Sequence, residues 1–182
     1  MKASDRDRYP PVKVALRNGA EVVLRLLSAD DGEKLGDFYE QVPREDFRFY
    51  CPHPLDMAHA LKNAANALSP LEIVIVLDTP DGRIGGYAWC RWREGASEIG
   101  GCGVCVGRDW QGLGAGGWLM WRLVEIARDI GPAVMSLTVQ KANARALSLY
   151  KQAGFKIGRE QVRAASHGFA AEGEYYMELR LR

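Results

Sequence analysis

The sequence predicts one α/β domain, and three observations predict it. Runs rich in β-branched residues alternate with runs of helical periodicity along most of the chain. Asp81-Gly82 is a hairpin signal between two apolar runs. From Cys102 to Gly116 the chain passes from a strand, through glycine-rich residues, into a long amphipathic segment. A chain of 182 residues is long enough for one domain with a full core.

Taken in order, residues 1–18 are charged, contain Pro10-Pro11, and are expected to form a flexible arm before a domain spanning 19–182. Asn18-Gly19 turns into a strand from Glu21 to Leu27. Ser28 or Asp30 caps a helix from about Ala29 to Gln41, which Pro43 ends. A second helix is expected from Leu55 to Leu68, stopped by Pro70. Strands follow at Leu71 to Leu77, Ile84 to Trp92 and about Glu98 to Val106. Ala115, Leu119, Leu123, Ile126 and Ile130 recur at spacings of three and four, which predicts a helix from about Gly114 to Ile130. A strand from Ala133 to Val139 and a short helix from Asn143 to Ala153 come next. Gly154 fits the position just past that helix. Phe155 to Arg163 and Glu174 to Leu181 close the sheet, and the loop between them is a gap where a substrate could enter.

Composition narrows the function. Hydrophobic residues at 47% and charged residues at 26% are ordinary for a globular protein. A net charge of +1 supplies no general attraction to nucleic acid or anionic membrane. No apolar run approaches the roughly 20 residues of a transmembrane helix. The charged start lacks the apolar stretch of a signal peptide, so a cytoplasmic location is expected. The four cysteines then read as free thiols. Cys102 and Cys105 are three apart on a strand and point to opposite faces, so no disulfide or metal site is expected of them.

Gln111-Gly112-Leu113-Gly114-Ala115-Gly116 sits at the strand-to-helix junction. The first N–H groups of a helix lack partners and carry partial positive charge, and glycines let a phosphate approach them. A P-loop would need Gly-Lys-Ser/Thr here, where the chain has Gly116-Gly117-Trp118. A dinucleotide fingerprint would need an acidic residue at the end of the next strand, whereas Asp129 lies on the helix.

The loop matches the Gln/Arg-x-x-Gly-x-Gly/Ala signature of the GCN5-related N-acetyltransferase (GNAT) superfamily. Val106 to Trp110 resembles its preceding strand end. Val139 to Tyr150, followed by Gly154-Phe155, resembles its second motif. The resemblance covers roughly Ile99 to Phe155. It implies a mixed, mostly antiparallel sheet of six to seven strands with helices on both faces. It also implies that residues Gln111, Gly112, Leu113, Gly114, Ala115 and Gly116 hold the pyrophosphate of acetyl-CoA. A bulge near Val104, Cys105 and Val106 would free backbone groups for the acetyl and pantetheine arm, with Gly103 and Gly100-Gly101 marking a break. Tyr150 would be the general acid for the departing thiolate, or else a buried aromatic. Asn143 would contact the cofactor arm, cap its helix, or both. Glu98 is a candidate general base acting through water, with Glu172 and Glu174 weaker ones. A solvated charge is the plain alternative for Glu98. His53 and His59 would line the acceptor wall, with surface or satisfied histidines as the plain alternative, and Arg108, Lys141 and Arg145 would meet CoA phosphates or solvent.

The function implied is acetyl transfer from acetyl-CoA to a primary amine, on a protein or a small molecule, without metal. The competing reading is a non-catalytic acyl-CoA-binding module. A homodimer is left open.

Overall fold

The computed structural model describes residues 7–50, 52–93, 95–166 and 168–182, with the backbone only at 96 and 97. Cys51, expected as a free thiol, and residues 1–6 lie outside the described residues.

Among the described residues, eight strands form one sheet: β1 (Val12–Ala15), β2 (Glu21–Leu26), β3 (Glu72–Asp78), β4 (Ile84–Arg93), β5 (Ala96–Val106), β6 (Val134–Gln140), β7 (Lys156–Arg163) and β8 (Glu172–Arg180). Their spatial order is β1-β2-β3-β4-β5-β6-β8-β7. Every pairing is antiparallel except β5 with β6. Four α-helices among the described residues accompany them: α1 (Gly32–Glu40), α2 (Met57–Ala65), α3 (Ala115–Ile130) and α4 (Ala144–Gln152).

Alternation along the strands feeds two cores. Ile73, Ile75 and Leu77 of β3 point to the face covered by α3 and α4, together with Leu119, Leu123, Tyr150 and Met177. Val74 and Val76 point to the other face and pack with Leu35, Phe38 and Tyr39 of α1 and Ala60 of α2. Both residues of each alternating pair are buried, so β3 reads as a continuous apolar run.

The helix ends follow local chemistry. Ser28 caps a 3₁₀ turn at Ala29–Asp31 in a reciprocal box with Asp31, and α1 continues from it. The Asp56 carboxylate accepts from the His59 N–H and starts α2. Gly154, at φ +97°, follows α4 as expected.

The expected arm needs correction. Val12–Ala15 pairs with β2 as an eighth, edge strand. Just before it, Arg8 and Tyr9 bind Asp129 of α3, the arginine at 2.7 Å. Tyr9 buries its ring in the α3-side core, which anchors the segment.

Candidate functional site

The site is created where β5 and β6 part. Their parallel register holds at Ile99↔Val134, Gly100↔Met135 and Gly101↔Ser136, and stops there. β6 keeps pairing with β8 as far as Gln140↔Glu174, and β5 keeps pairing with β4 as far as Val106↔Gly86. The residues of β5 beyond Gly101 therefore face an opening on one side.

The phase of the β4–β5 ladder says which groups face it. Gly107 N–H donates to the Gly85 carbonyl at 2.9 Å, which makes Val106↔Gly86 a non-hydrogen-bonded pair. Val106 and Val104 thus turn their N–H and C=O toward the opening, while Cys105 bonds back to β4. Gln111 Nε2 donating to the Val106 carbonyl at 2.9 Å fits this phase. The expected bulge is not at these residues. Register from Gly101 to Val106 is unbroken, and the shift falls between Arg91 and Arg93, opposite the start of β5. Strand separation, rather than a bulge, exposes the backbone.

The glycine loop closes one end of the opening. Gly112 and Gly114 have φ of +76° and +92°, conformations that side chains rarely adopt. A Cβ on Gly112 would meet nothing within 4 Å, so its outer side is open. The first bond inside α3 runs from Trp118 N–H to the Gly114 carbonyl at 3.2 Å. The N–H groups of Ala115, Gly116 and Gly117 precede it and have no partner within the helix. This fits a pyrophosphate: open glycine surface, converging N–H groups and the positive end of a 16-residue helix. A Cβ on Gly116 would sit 3.3 Å from Leu149 and 3.7 Å from Val106, so this glycine lets α4 approach the end of β5.

Gln111 bridges the two walls. Its amide nitrogen holds Val106, and its Oε1 accepts from Arg145 Nη1 at 2.5 Å. Arg17, which sequence reasoning missed, braces the loop from behind. Its N–H donates to the Leu113 carbonyl at 3.0 Å and its guanidinium to the Gly112 carbonyl at 3.4 Å. A single arginine before a turn carries no signal of such a role.

Tyr150 lies on α4 in the same apolar core as Cys102, Val104 and Val106. It is buried, and its ring packs edge-on to Phe155 at 5.9 Å. Burial, with the nearby Cys102 and Cys105 thiols, pushes its phenol well above the usual tyrosine value. The group thus stays protonated throughout the neutral range. Asn143 caps α4, with Oδ1 accepting from Ala146 N–H at 3.1 Å, which leaves its amide nitrogen for other partners.

Glu98 is not brought to this site. It is exposed near the opposite end of β5, eight residues from Val106, or roughly 25 Å along an extended strand. Arg108 and Lys141 are also otherwise engaged. Arg108 pairs with Glu45 at 2.8 Å and Asp46 at 3.1 Å, and Lys141 pairs with Glu160.

Polar networks line the α1/α2 face of the opening. Trp89 Nε1 donates to the Tyr50 hydroxyl at 2.8 Å, which donates to Tyr87 at 2.6 Å. Asn63 joins Tyr39 at 2.9 Å and His53 at 3.2 Å, and His53 stacks on His59 at 5.6 Å. Burial raises the phenol pKa of Tyr39, Tyr50 and Tyr87 and lowers that of His53. Glu172 is held by Arg48 at 2.7 Å.

Cys102 and Cys105 do point to opposite faces, one in each core. The residue facing Cys102 across the strands is Cys90, and all three are free, buried thiols. Among the described residues, no group of three or more His, Cys, Asp or Glu is placed to hold a metal. No helix among them is long and apolar enough to cross a membrane.

A parted sheet beside a glycine-led helix is a specific arrangement, and the comparisons agree with it. The family profile described as "Acetyltransferase (GNAT) family" matches residues 35–155, about two thirds of the chain. The chain belongs to the GNAT acetyltransferase family. It is similar to a mycothiol acetyltransferase from Thermobifida fusca, 29% identical over 131 residues. That match takes in 65% of this chain and 41% of the relative, so the chain spans about two fifths of the relative's length. The GNAT domain of S. lividans PAT shares the fold with a TM-score of 0.74 and 21% identity, covering 94% of this chain and 99% of that one. The yncA protein from Salmonella typhimurium, solved with its cofactor acetyl-CoA, gives 0.73 and 21%, covering 88% and 94%. The mixed, mostly antiparallel GNAT sheet is thus as expected, with β1 as the additional strand.

Proposed function

We propose that this GNAT chain transfers an acetyl group from acetyl-CoA to a primary amine by direct attack on the thioester. The observation that carries this reading is the loss of β5–β6 pairing after Gly101↔Ser136, directly beside the loop Gln111 to Gly116. An extended thioester arm can replace β6 as the hydrogen-bonding neighbour of Val104 and Val106. The N–H groups opening α3 would hold the pyrophosphate, with Gln111 and Arg17 fixing the loop. Acetyl-CoA supplies the activated acetyl group. Tyr150, protonated and buried on the α4 side, would give its proton to the sulfur as the C–S bond breaks.

The acceptor is left as a primary amine. The exposed position of Glu98 favours one other reading, an acyl-CoA-binding module with no base. Two measurements decide. Calorimetry with acetyl-CoA should show saturable binding, and an amine panel should release free CoA faster than acetyl-CoA hydrolyses alone. Binding without amine-dependent release would establish the binding module, and absence of binding would reject both readings.

A further inference from the structure

We infer that Glu174 is the acceptor-amine site: its carboxylate binds the substrate's ammonium group and takes its proton. The inference rests on the acetyl-transfer reading above and names the residue that completes it.

Position comes first. Glu174 pairs with Gln140, the last residue of β6. Extending the β5–β6 register from Ile99↔Val134 by residue count puts Gln140 level with Cys105. Glu174 thus stands at the height of the freed backbone, about one strand spacing of roughly 4.8 Å beyond β6. Its direction follows from alternation. Tyr175, Met177 and Leu179 enter the α3-side core, so Glu174 points to the other face. Tyr150 and Glu174 therefore approach the opening from opposite faces of the sheet. An amine on one side can add to the carbonyl carbon from above its plane, while an acid on the other meets the sulfur that leaves the tetrahedral intermediate.

The carboxylate is also left incomplete. Glu174 is only 4% exposed. Its Oε1 accepts from the neutral Gln161 amide at 2.6 Å, and its Oε2 is buried without a hydrogen-bond partner. Among the described residues no cation lies within ion-pair distance of it. Its neighbour on the same face, Glu172, shows the contrast. It is paired by Arg48 at 2.7 Å, with Arg163 at 3.8 Å. A buried carboxylate lacking a cation is costly, and an ammonium ligand offsets that cost. Gln161 fixes the carboxylate's orientation and leaves Oε2 to the ligand.

The step balances as follows. Glu174 Oε2 takes one ammonium proton, and the freed nitrogen lone pair forms the N–C bond as the C–S bond breaks. The sulfur keeps that electron pair and takes the Tyr150 phenol proton. The nitrogen sheds a second proton to solvent, from which Tyr150 is reprotonated. Glu174 passes its proton on, so one proton is released net.

The test compares wild type with Glu174→Gln using propylamine, an N-blocked lysine amide and alanine amide. Binding is read by saturation-transfer NMR and turnover by CoA release. We expect at least one amine to bind and react. Its kcat/KM should fall about 30-fold or more in the variant, in keeping with loss of a charged hydrogen bond. Acetyl-CoA affinity should stay near wild type, and the melting temperature should hold or rise, since the variant no longer buries an uncompensated charge. The pH profile is a second readout. The variant should follow the fraction of neutral amine, about tenfold per pH unit below the amine's pKa, whereas wild type should rise less steeply. Should the Gln variant not fold, Glu174→Asp carries the test, with the same amine-selective loss at smaller size. Unchanged kcat/KM in a folded variant overturns the inference, as does a fall in melting temperature without an amine-selective loss. So does a wild type that binds acetyl-CoA but none of the three amines. A wild type that fails to bind acetyl-CoA rejects the proposed function instead. NMR binding of the amines, compared between the two proteins, then still decides the Glu174 site.

Discussion

The two faces of the opening between β5 and β6 are assembled by different means. On the α3/α4 face, one continuous stretch from Val104 to Gly116 supplies the strand end, the turn and the helix start, largely through backbone groups. On the α1/α2 face, side chains from distant segments meet: Arg48 with Glu172, Tyr50 with Trp89 and Tyr87, Asn63 with Tyr39 and Arg91. The first construction suits a ligand of fixed chemistry, a pyrophosphate with a thioester arm. The second changes whenever one side chain changes, and so suits a partner that differs between relatives of the same fold. If the contrast holds, substitutions on the first face disturb cofactor affinity or the chemical step, and those on the second disturb acceptor use or stability.

The largest effect is expected at Tyr150. Tyr150→Phe keeps the ring against Phe155 and removes only the proton donor. The rate should fall about 10²-fold, within the usual range for loss of a general acid, while acetyl-CoA affinity barely moves. Because burial raises the phenol pKa, the acid form is complete at neutral pH. Its loss cannot begin below the ordinary tyrosine value near 10. Wild-type activity should therefore show no alkaline decline from Tyr150 up to about pH 10. A purely structural tyrosine would instead lower the melting temperature and leave the rate per folded molecule intact.

Next in size is Gly114→Asp. It forces a side chain onto a residue at φ +92° and sets a carboxylate against the phosphate position. Calorimetry should show acetyl-CoA affinity reduced at least tenfold, about 1.4 kcal/mol. Unchanged affinity in the folded variant would remove the loop from the phosphate site.

The places of these two residues in the fold, as distinct from their roles, were legible in the sequence because each belongs to a local pattern. A glycine at positive φ, a helix start and an aromatic seven residues beyond a cap all leave local patterns. The other face left none, since Arg48 and Glu172 are 124 residues apart. Glu98 was misplaced for a different reason. It was nominated because it shares the strand with Val106, yet eight residues of extended chain already separate the two by roughly 25 Å. The edge strand Val12–Ala15 is only four residues long, and Pro10-Pro11 before it reads as a break. Its stability comes from partners on β2 and on α3, which local pattern cannot display.

A smaller effect, on stability rather than chemistry, is expected at Tyr50. Tyr50→Phe strips the acceptor from the Trp89 indole N–H and the donor from the buried Tyr87 hydroxyl. Leaving such groups unpaired costs about 1–3 kcal/mol. Denaturant unfolding should move by that amount, with acetyl-CoA affinity per folded molecule unchanged. If the affinity fell with it, the two faces would not be independent.

The smallest effect is the one that tests the boundary between them. Arg108 starts the turn before the glycine loop, yet its guanidinium reaches Glu45 and Asp46 on the 3₁₀ turn at Arg44–Arg48, on the α1/α2 side. These side chains are exposed, and exposed pairs add little to stability. Arg108→Ala should therefore leave the melting temperature within about 2 °C of wild type. What the pair does is tie one wall to the other. Releasing it should raise the KM for the amine about threefold, roughly the worth of one exposed ion pair, with acetyl-CoA affinity unaltered. Raising ionic strength should do the same to wild type and little to the variant, because screening removes the same attraction. The opposite result is equally readable. If acetyl-CoA affinity falls while the amine KM holds, Arg108 leaves its carboxylate partners for the CoA phosphates when the cofactor binds, and it belongs to the cofactor face after all.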